Sequence, residues 1–177
     1  MSSSNFAVDL GTLDTVQRHP IGQEYEEPTG FIDTSAPSAS RNAVSQGKRV
    51  WIYVEFAAAV VAAGAACARA LGTKTLTGIV EAPTSSLPSR IVGVAQMALG
   101  NASVVTWGWI LREGVGIGVC DATGVTVDRP MVIDTSTAGC FVCSAGTTTA
   151  TADGAVGWCL ETRADAGVFD AQFNCRG

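Results

Sequence analysis

One histidine, His19, serves the whole chain of 177 residues. A Ser-His-Asp or Cys-His catalytic set needs a base held by a folded scaffold. His19 falls in a proline-spaced N-terminal stretch, so it reads as a solvated or interface residue. Positive charge is also scarce: 11 Lys and Arg stand against 16 Asp and Glu, for a net charge of −5. No Lys/Arg cluster stands out, and an acidic chain repels phosphate backbones, which argues against nucleic acid as a partner. There is no phosphate loop, no Gly-x-Gly-x-x-Gly after a strand, no His-Glu-x-x-His and no EF-hand loop. No cofactor and no metal are expected, and the chain does not read as an enzyme. The start, "MSSSNFAVDL", lacks the basic and apolar regions of a signal peptide.

The acids that are present, Asp121, Asp128, Asp134, Asp153, Glu161, Asp165 and Asp170, mostly sit beside Gly, Thr or Ala. In turns of that composition a carboxylate accepts local backbone hydrogen bonds. Two of them could converge as a glycosidase pair, but no spacing singles one out. "NAS" at Asn101 is a glycosylation sequon without any accompanying sign of secretion.

Six cysteines, Cys67, Cys120, Cys140, Cys143, Cys159 and Cys175, are too dispersed for a dense secreted disulfide framework. They read as free thiols buried as small hydrophobes. "CFVC", Cys140 to Cys143, is half a zinc motif without its other half, and a strand would point its two thiols to opposite faces. The longest apolar run, "VWIYVEFAAAVVAAGAACARALG", is interrupted by Glu55, and its alanines and glycines contribute little to membrane insertion. Its aromatic and β-branched start predicts a strand, a turn near Gly64 and a second strand, with no membrane partner.

Residues 1–48 differ from the rest. They hold three of the six prolines (Pro20, Pro28, Pro37) and only scattered apolar residues. Such a segment cannot bury much of itself. It is either a disordered tail or an arm ordered on another surface, with Phe6, Leu10, Leu13, Ile21, Tyr25 and Phe31 as anchors. From residue 49 to 177 short apolar runs alternate with glycine turns: "KRVWIYVEF", "SRIVGVAQMA", "VVTWGWIL" ending at "REG", "VGIGVC", "VTVDRPMVI", "CFVCSA", "AVGWCLE" and "VFDAQFNC". That rhythm predicts an all-β barrel or sandwich, jelly-roll-like, of short antiparallel strands with an extended N-terminal arm. In "VVTWGWIL", Val105, Trp107 and Trp109 share one face and Thr106, Gly108 and Ile110 the other. The indoles would cover the core or an oligomer interface. Gly108 would leave a gap for a ring or backbone from another element.

The order of these segments resembles the capsid decoration (cement) proteins of tailed bacteriophages. The likeness rests on four stretches. "LGTLDTVQRHPIGQEYEEPTG" carries a Leu-Gly-Thr and a Pro-Ile-Gly. "VWIYVEFAAAVVAAGAACARA" is similar to a Tyr-Val strand followed by an Ala-Ala-Gly turn. "RIVGVAQMALGNASVVTWGWILREGVGIGV" is similar to a Val-Gly-Val-Ala, loop, aromatic-Gly-Trp pattern, and "AGCFVCSAGTTTATADGAVGWCLET" to a closing strand pair. The cysteines, "CFVC" above all, depart from that pattern. The resemblance implies a virion protein, made in the host cytoplasm, that sits on the outside of an icosahedral head. It implies a homotrimer that clamps neighbouring major capsid subunits. The alternative is a phage fibre or receptor-binding tip, in which Trp107 and Trp109 would stack on sugars.

Overall fold

The structure, a computed structural model, describes residues 10–27, 48–56, 60–69, 79–80, 91–134, 136–143 and 155–175. Phe6, Phe31 and Asp153 lie outside these residues. The described residues form strands and turns with no helix. The strands are β1 Glu24–Glu27, β2 Arg49–Phe56, β3 Val60–Val61, β4 Ala66–Arg69, β5 Ile79–Val80 and β6 Ile91–Val94. They continue with β7 Leu99–Gly100, β8 Thr106–Cys120, β9 Pro130–Ile133, β10 Phe141–Cys143, β11 Gly157–Cys159 and β12 Gly167–Asn174.

β8 organises everything else. Its first half pairs antiparallel with β2, from Phe56↔Thr106 to Val50↔Glu113, and its second half pairs with β12, from Asn174↔Glu113 to Gly167↔Cys120. β12 continues to β11, β9 and β10. β10 then returns to β8 through a parallel pairing of Phe141 with Cys120. The circuit β8-β12-β11-β9-β10 is therefore a closed five-stranded barrel. Closure removes the sheet edges that would otherwise be free to pair elsewhere.

The all-β barrel expectation holds, and two details of it are corrected. The strands are not all short and antiparallel, because β8 runs through 15 residues and one of its pairings is parallel. "REG" does not end a strand. At this point β2 shifts register between Val50 and Trp51, and Gly114 takes φ 112°. A bulge of this kind bends a strand and raises its twist without terminating it. The bend lets one strand leave the β2 layer and enter the barrel.

The strand-turn-strand expectation for the alanine-rich run also holds. β2, β3 and β4 occupy the described part of this run, and Gly64 turns with φ 80°. Gly64 is also closely packed: a methyl there would meet the Gly118 carbonyl carbon at 2.8 Å.

Two cores share the β2–β8 ribbon. Trp51, Tyr53, Trp109 and Leu111 face the first core, which continues into the barrel as Met131, Ile133, Phe141, Phe169, Ala171 and Phe173. Ile52, Val54, Phe56 and Ile110 face the second, with Val61, Cys67, Val92 and Leu99. A ribbon buried on both faces has no need of polar alternation, which accounts for the unbroken "VWIYV".

The glycines of β8 set the barrel's capacity. A methyl at Gly118 would lie 2.9 Å from the Phe169 ring and 3.2 Å from Phe141. A methyl at Gly116 would collide with Oε1 of Gln96. That side chain accepts from the Ile117 N–H at 2.8 Å and donates to the Ile117 carbonyl at 3.1 Å, serving the backbone as a neighbouring strand would. Gly108 behaves differently from the expectation. A methyl there would stand 3.5 Å from Phe56, an ordinary contact, so close approach is not what the position requires.

Candidate interaction surfaces

Three groups of side chains stand out: a charged latch over the N-terminal segment, two exposed apolar patches, and a thiol pair inside the barrel.

The latch begins with Asp14, whose backbone bridges to Trp107 with N–H···O distances of 2.9 and 3.0 Å. Its buried carboxylate accepts from the Tyr53 hydroxyl at 2.8 Å and pairs with Arg18 at 2.8 Å. The Arg18 N–H donates back to that hydroxyl at 3.2 Å. Burial first, opposed by the Arg18 N–H and reinforced by Asp14, pushes the Tyr53 phenol up to about 12. A neutral phenol that donates to a carboxylate is the stable form of this pair at neutral pH.

Beside it, His19 sets its ring edge against Tyr53 and Trp109 at 5.0 and 5.2 Å. The expectation of a solvated or interface histidine misses this: His19 is half-buried against an aromatic pair.

The chain then pairs with β2. Gly22 donates to the Tyr53 carbonyl, and Tyr53 donates to that of Gln23. β1, sequence "EYEE", continues antiparallel from Glu24↔Ile52 to Glu27↔Arg49. Glutamate is a poor strand former, but here each one meets a cation. Glu24 pairs with Arg112, Glu26 with Lys48 and Glu27 with Arg49. Glu27 is the buried one. It accepts two bonds from the Arg49 guanidinium, at 2.6 and 2.7 Å, and one from the Trp51 indole at 3.0 Å. The guanidinium lies 5.4 Å from the Trp51 ring centroid. A bidentate pair of this kind fixes geometry as well as charge.

The anticipated interface residues are distributed as follows. Leu10, Tyr25 and Trp107 pack against the first core and Leu13 against the second. Ile21 is half-buried. Trp109, at 2 % exposure, is a core residue, which removes it from any surface. Trp107 is half-buried and donates to Glu55 at 3.2 Å. The indole most open to solvent among the described residues is Trp158, at 54 %.

Trp158 marks the first apolar patch. It stands on β11 between Gln172 of β12 and Pro130 of β9. Leu160 follows two residues on, opposite Asp170; exposed Val168 stands two residues before Asp170 on β12, and exposed Val127 donates its N–H to the Thr162 hydroxyl. The second patch lies at the other end of β8. Val16 and Val105, both exposed, sit two residues beyond the Asp14–Trp107 bridge, and Val104 adjoins them. The signal for the first patch was the alternation in "AVGWCLE", which puts Trp158 opposite in facing to its buried neighbours Gly157 and Cys159.

Of the turn acids, Asp121 and Asp134 accept local backbone N–H groups as expected, whereas Asp170 stands within β12. Asp121 accepts from the Thr123 N–H at 2.8 Å. Asp134 is buried, which raises its pKa, but the Ser136 and Thr137 N–H groups and the Ser136 hydroxyl donate to it and the net effect lowers it. Among the described residues no group of three or more His, Cys, Asp or Glu could hold a metal ion.

The thiols are mostly core. Cys67, Cys120, Cys140, Cys159 and Cys175 are buried and Cys143 is half-buried. Burial pushes Cys67 and Cys175 up to about 12. Cys143 and Cys159 both point into the barrel, with their sulfurs 3.5 Å apart.

No family model matches the chain, and no curated protein matches it. Among solved structures it is similar to the N base of the head fiber of bacteriophage phi29. That crystal structure superposes with a TM-score of 0.50 at 11 % identity, over 71 % of this chain and 95 % of the other. At that identity the likeness is one of fold.

Proposed function

We propose that the chain is a structural protein of a phage virion, mounted on the outside of the icosahedral head, with no catalytic role. The observation that carries this is the fold likeness: it takes in 95 % of a head fiber base. The exposed Trp158 patch supplies an apolar surface of the kind a protein partner covers. The finer reading is a decoration protein, a homotrimer whose partner is the major capsid protein and whose exposed faces hold neighbouring subunits together. A second reading, the base of a head-attached fibre, is favoured by the same likeness.

Cosedimentation of the purified protein with heads that lack it tests the proposal, with the mass of the free protein measured alongside. Saturable binding at a fixed ratio to the shell protein supports it, and free protein at every head concentration overturns it. Heat rupture of the loaded heads then separates the two readings. A raised rupture temperature supports decoration; binding that leaves it unchanged supports a fibre base.

A further inference from the structure

We propose that Cys143 and Cys159 are a redox pair that closes into an intramolecular disulfide, locking this end of the barrel. Their sulfurs approach to 3.5 Å although the residues stand on strands that flank β9 rather than adjoin each other. The register explains the meeting. Cys143 lies opposite Met131 and Cys159 one step past the Trp158–Pro130 pair, and both side chains point inward where β9 begins. Closing the bond requires the sulfurs to approach by about 1.5 Å, to the usual length of about 2.05 Å.

The two thiols are not equivalent. Cys143 is half-buried, and its sulfur accepts the Thr126 N–H at 2.9 Å, which fixes its direction. Cys159 is fully enclosed, and burial, followed by the neighbouring Cys143, raises its pKa. That asymmetry assigns the order of events. The oxidant is a low-molecular-weight disulfide such as oxidised glutathione. The Cys143 thiolate attacks one of its sulfurs, forming a mixed disulfide and releasing one small thiolate. The Cys159 thiolate then attacks the Cys143 sulfur and expels the second. Two protein thiols become one disulfide, the small disulfide is reduced to two thiols, and the two thiol protons pass to the released thiolates. The other four cysteines stay reduced, because all are buried and burial raises their thiol pKa values, which keeps them from attacking the small disulfide. The pair does not depend on the virion reading.

The test is to incubate the full-length native protein with oxidised glutathione, then unfold it in urea and alkylate all remaining thiols. The expected result is a monomer that before alkylation is about 2 Da lighter than the reduced chain, and that after it carries four alkylated cysteines and a peptide joining 143 to 159. The tether spans about 15 residues, so the oxidised protein should melt roughly 6–12 °C higher, and a reductant should reverse the rise. Cys143→Ser, altered at the half-buried position, should keep the reduced protein's melting temperature and lose the oxidation-dependent rise. Six alkylated cysteines, a persistent glutathione adduct on Cys143, a disulfide between two chains, or a different pairing would each overturn the proposal.

Discussion

Glu27 is the residue on which the N-terminal latch turns, and Glu27→Ala tests that role. The side chains of Glu27 and Arg49 are 9 % and 12 % exposed, so both charges sit largely out of water. Removing one partner of a buried pair costs about 3–5 kcal/mol, because the other charge stays buried and unpaired. Arg49 retains some exposure and its contact with Trp51, which places the cost near the lower end, about 3 kcal/mol. The Trp51 indole N–H also loses its acceptor. For a domain of this size about 3 kcal/mol lowers Tm by roughly 6–12 °C. Thermal unfolding followed by tryptophan fluorescence measures it, and tryptic cleavage after Arg18 in the native protein reports local release of the segment. The double substitution Glu27→Leu with Arg49→Met removes both charges together and should recover most of the loss. An unchanged Tm with unchanged cleavage in Glu27→Ala would refute the reasoning, and so would a double variant as unstable as the single one.

The barrel's glycines should differ sharply from one another. Gly118→Ala forces a methyl against Phe169 and Phe141 and should cost about 1–3 kcal/mol, whereas Gly108→Ala meets Phe56 at an ordinary distance and should be neutral or gain up to about 1 kcal/mol; equilibrium urea unfolding reads both. Asp134 has a lowered pKa when folded, so its contribution is present above the unfolded carboxylate pKa and is lost as pH falls through the folded one. Asp134→Asn should accordingly flatten the acid limb of a Tm-against-pH curve, and an unaltered limb would count against the turn's role. Thr106 has a buried hydroxyl with no partner among the described residues, so Thr106→Val should match or exceed the parent in Tm by about 1 kcal/mol equivalent. A thiol reagent at pH 8 should reach Cys143 before any other cysteine in the native protein, with Cys67 and Cys175 silent until unfolding, as peptide mapping of the labelled sites would show.

Much of the barrel was legible because its strands announce themselves locally. "VWIYVEF" is β-branched and aromatic, "VFDAQFNC" alternates, and glycine-rich stretches separate them. The facing of Trp107 and Trp109 followed from the period of two. What misled was the weight given to "REG". A Gly after two charged residues is a turn signal in sequence, yet it serves equally well as the bulge that bends one long strand. Which of the two forms depends on the partners across the ladder, β2 on one half and β12 on the other, and they are distant in sequence. Barrel closure was hidden for the same reason, since a single parallel pairing of Phe141 with Cys120 completes it.

The N-terminal segment shows the limit of local reasoning more clearly. Its apolar residues were picked out as anchors for another surface, whereas Leu10, Leu13 and Tyr25 pack on this chain's own two cores. Its acids were passed over, because "EYEE" beside prolines has the composition of solvated chain. Strand propensity measures fit to a pleated, half-buried surface rather than an intrinsic backbone preference. Three glutamates form a strand here because Arg112, Lys48 and Arg49 stand along the edge of the ribbon they add to. Two of those cations come from the start of the next segment and one from the bend of β8, so the complementarity exists only once the ribbon is built. An acidic strand laid on a basic edge is therefore specified by charge more than by burial. High salt should weaken its two exposed pairs, Glu24–Arg112 and Glu26–Lys48, while sparing Glu27–Arg49. The buried pair then holds the segment in register while the outer ones come and go.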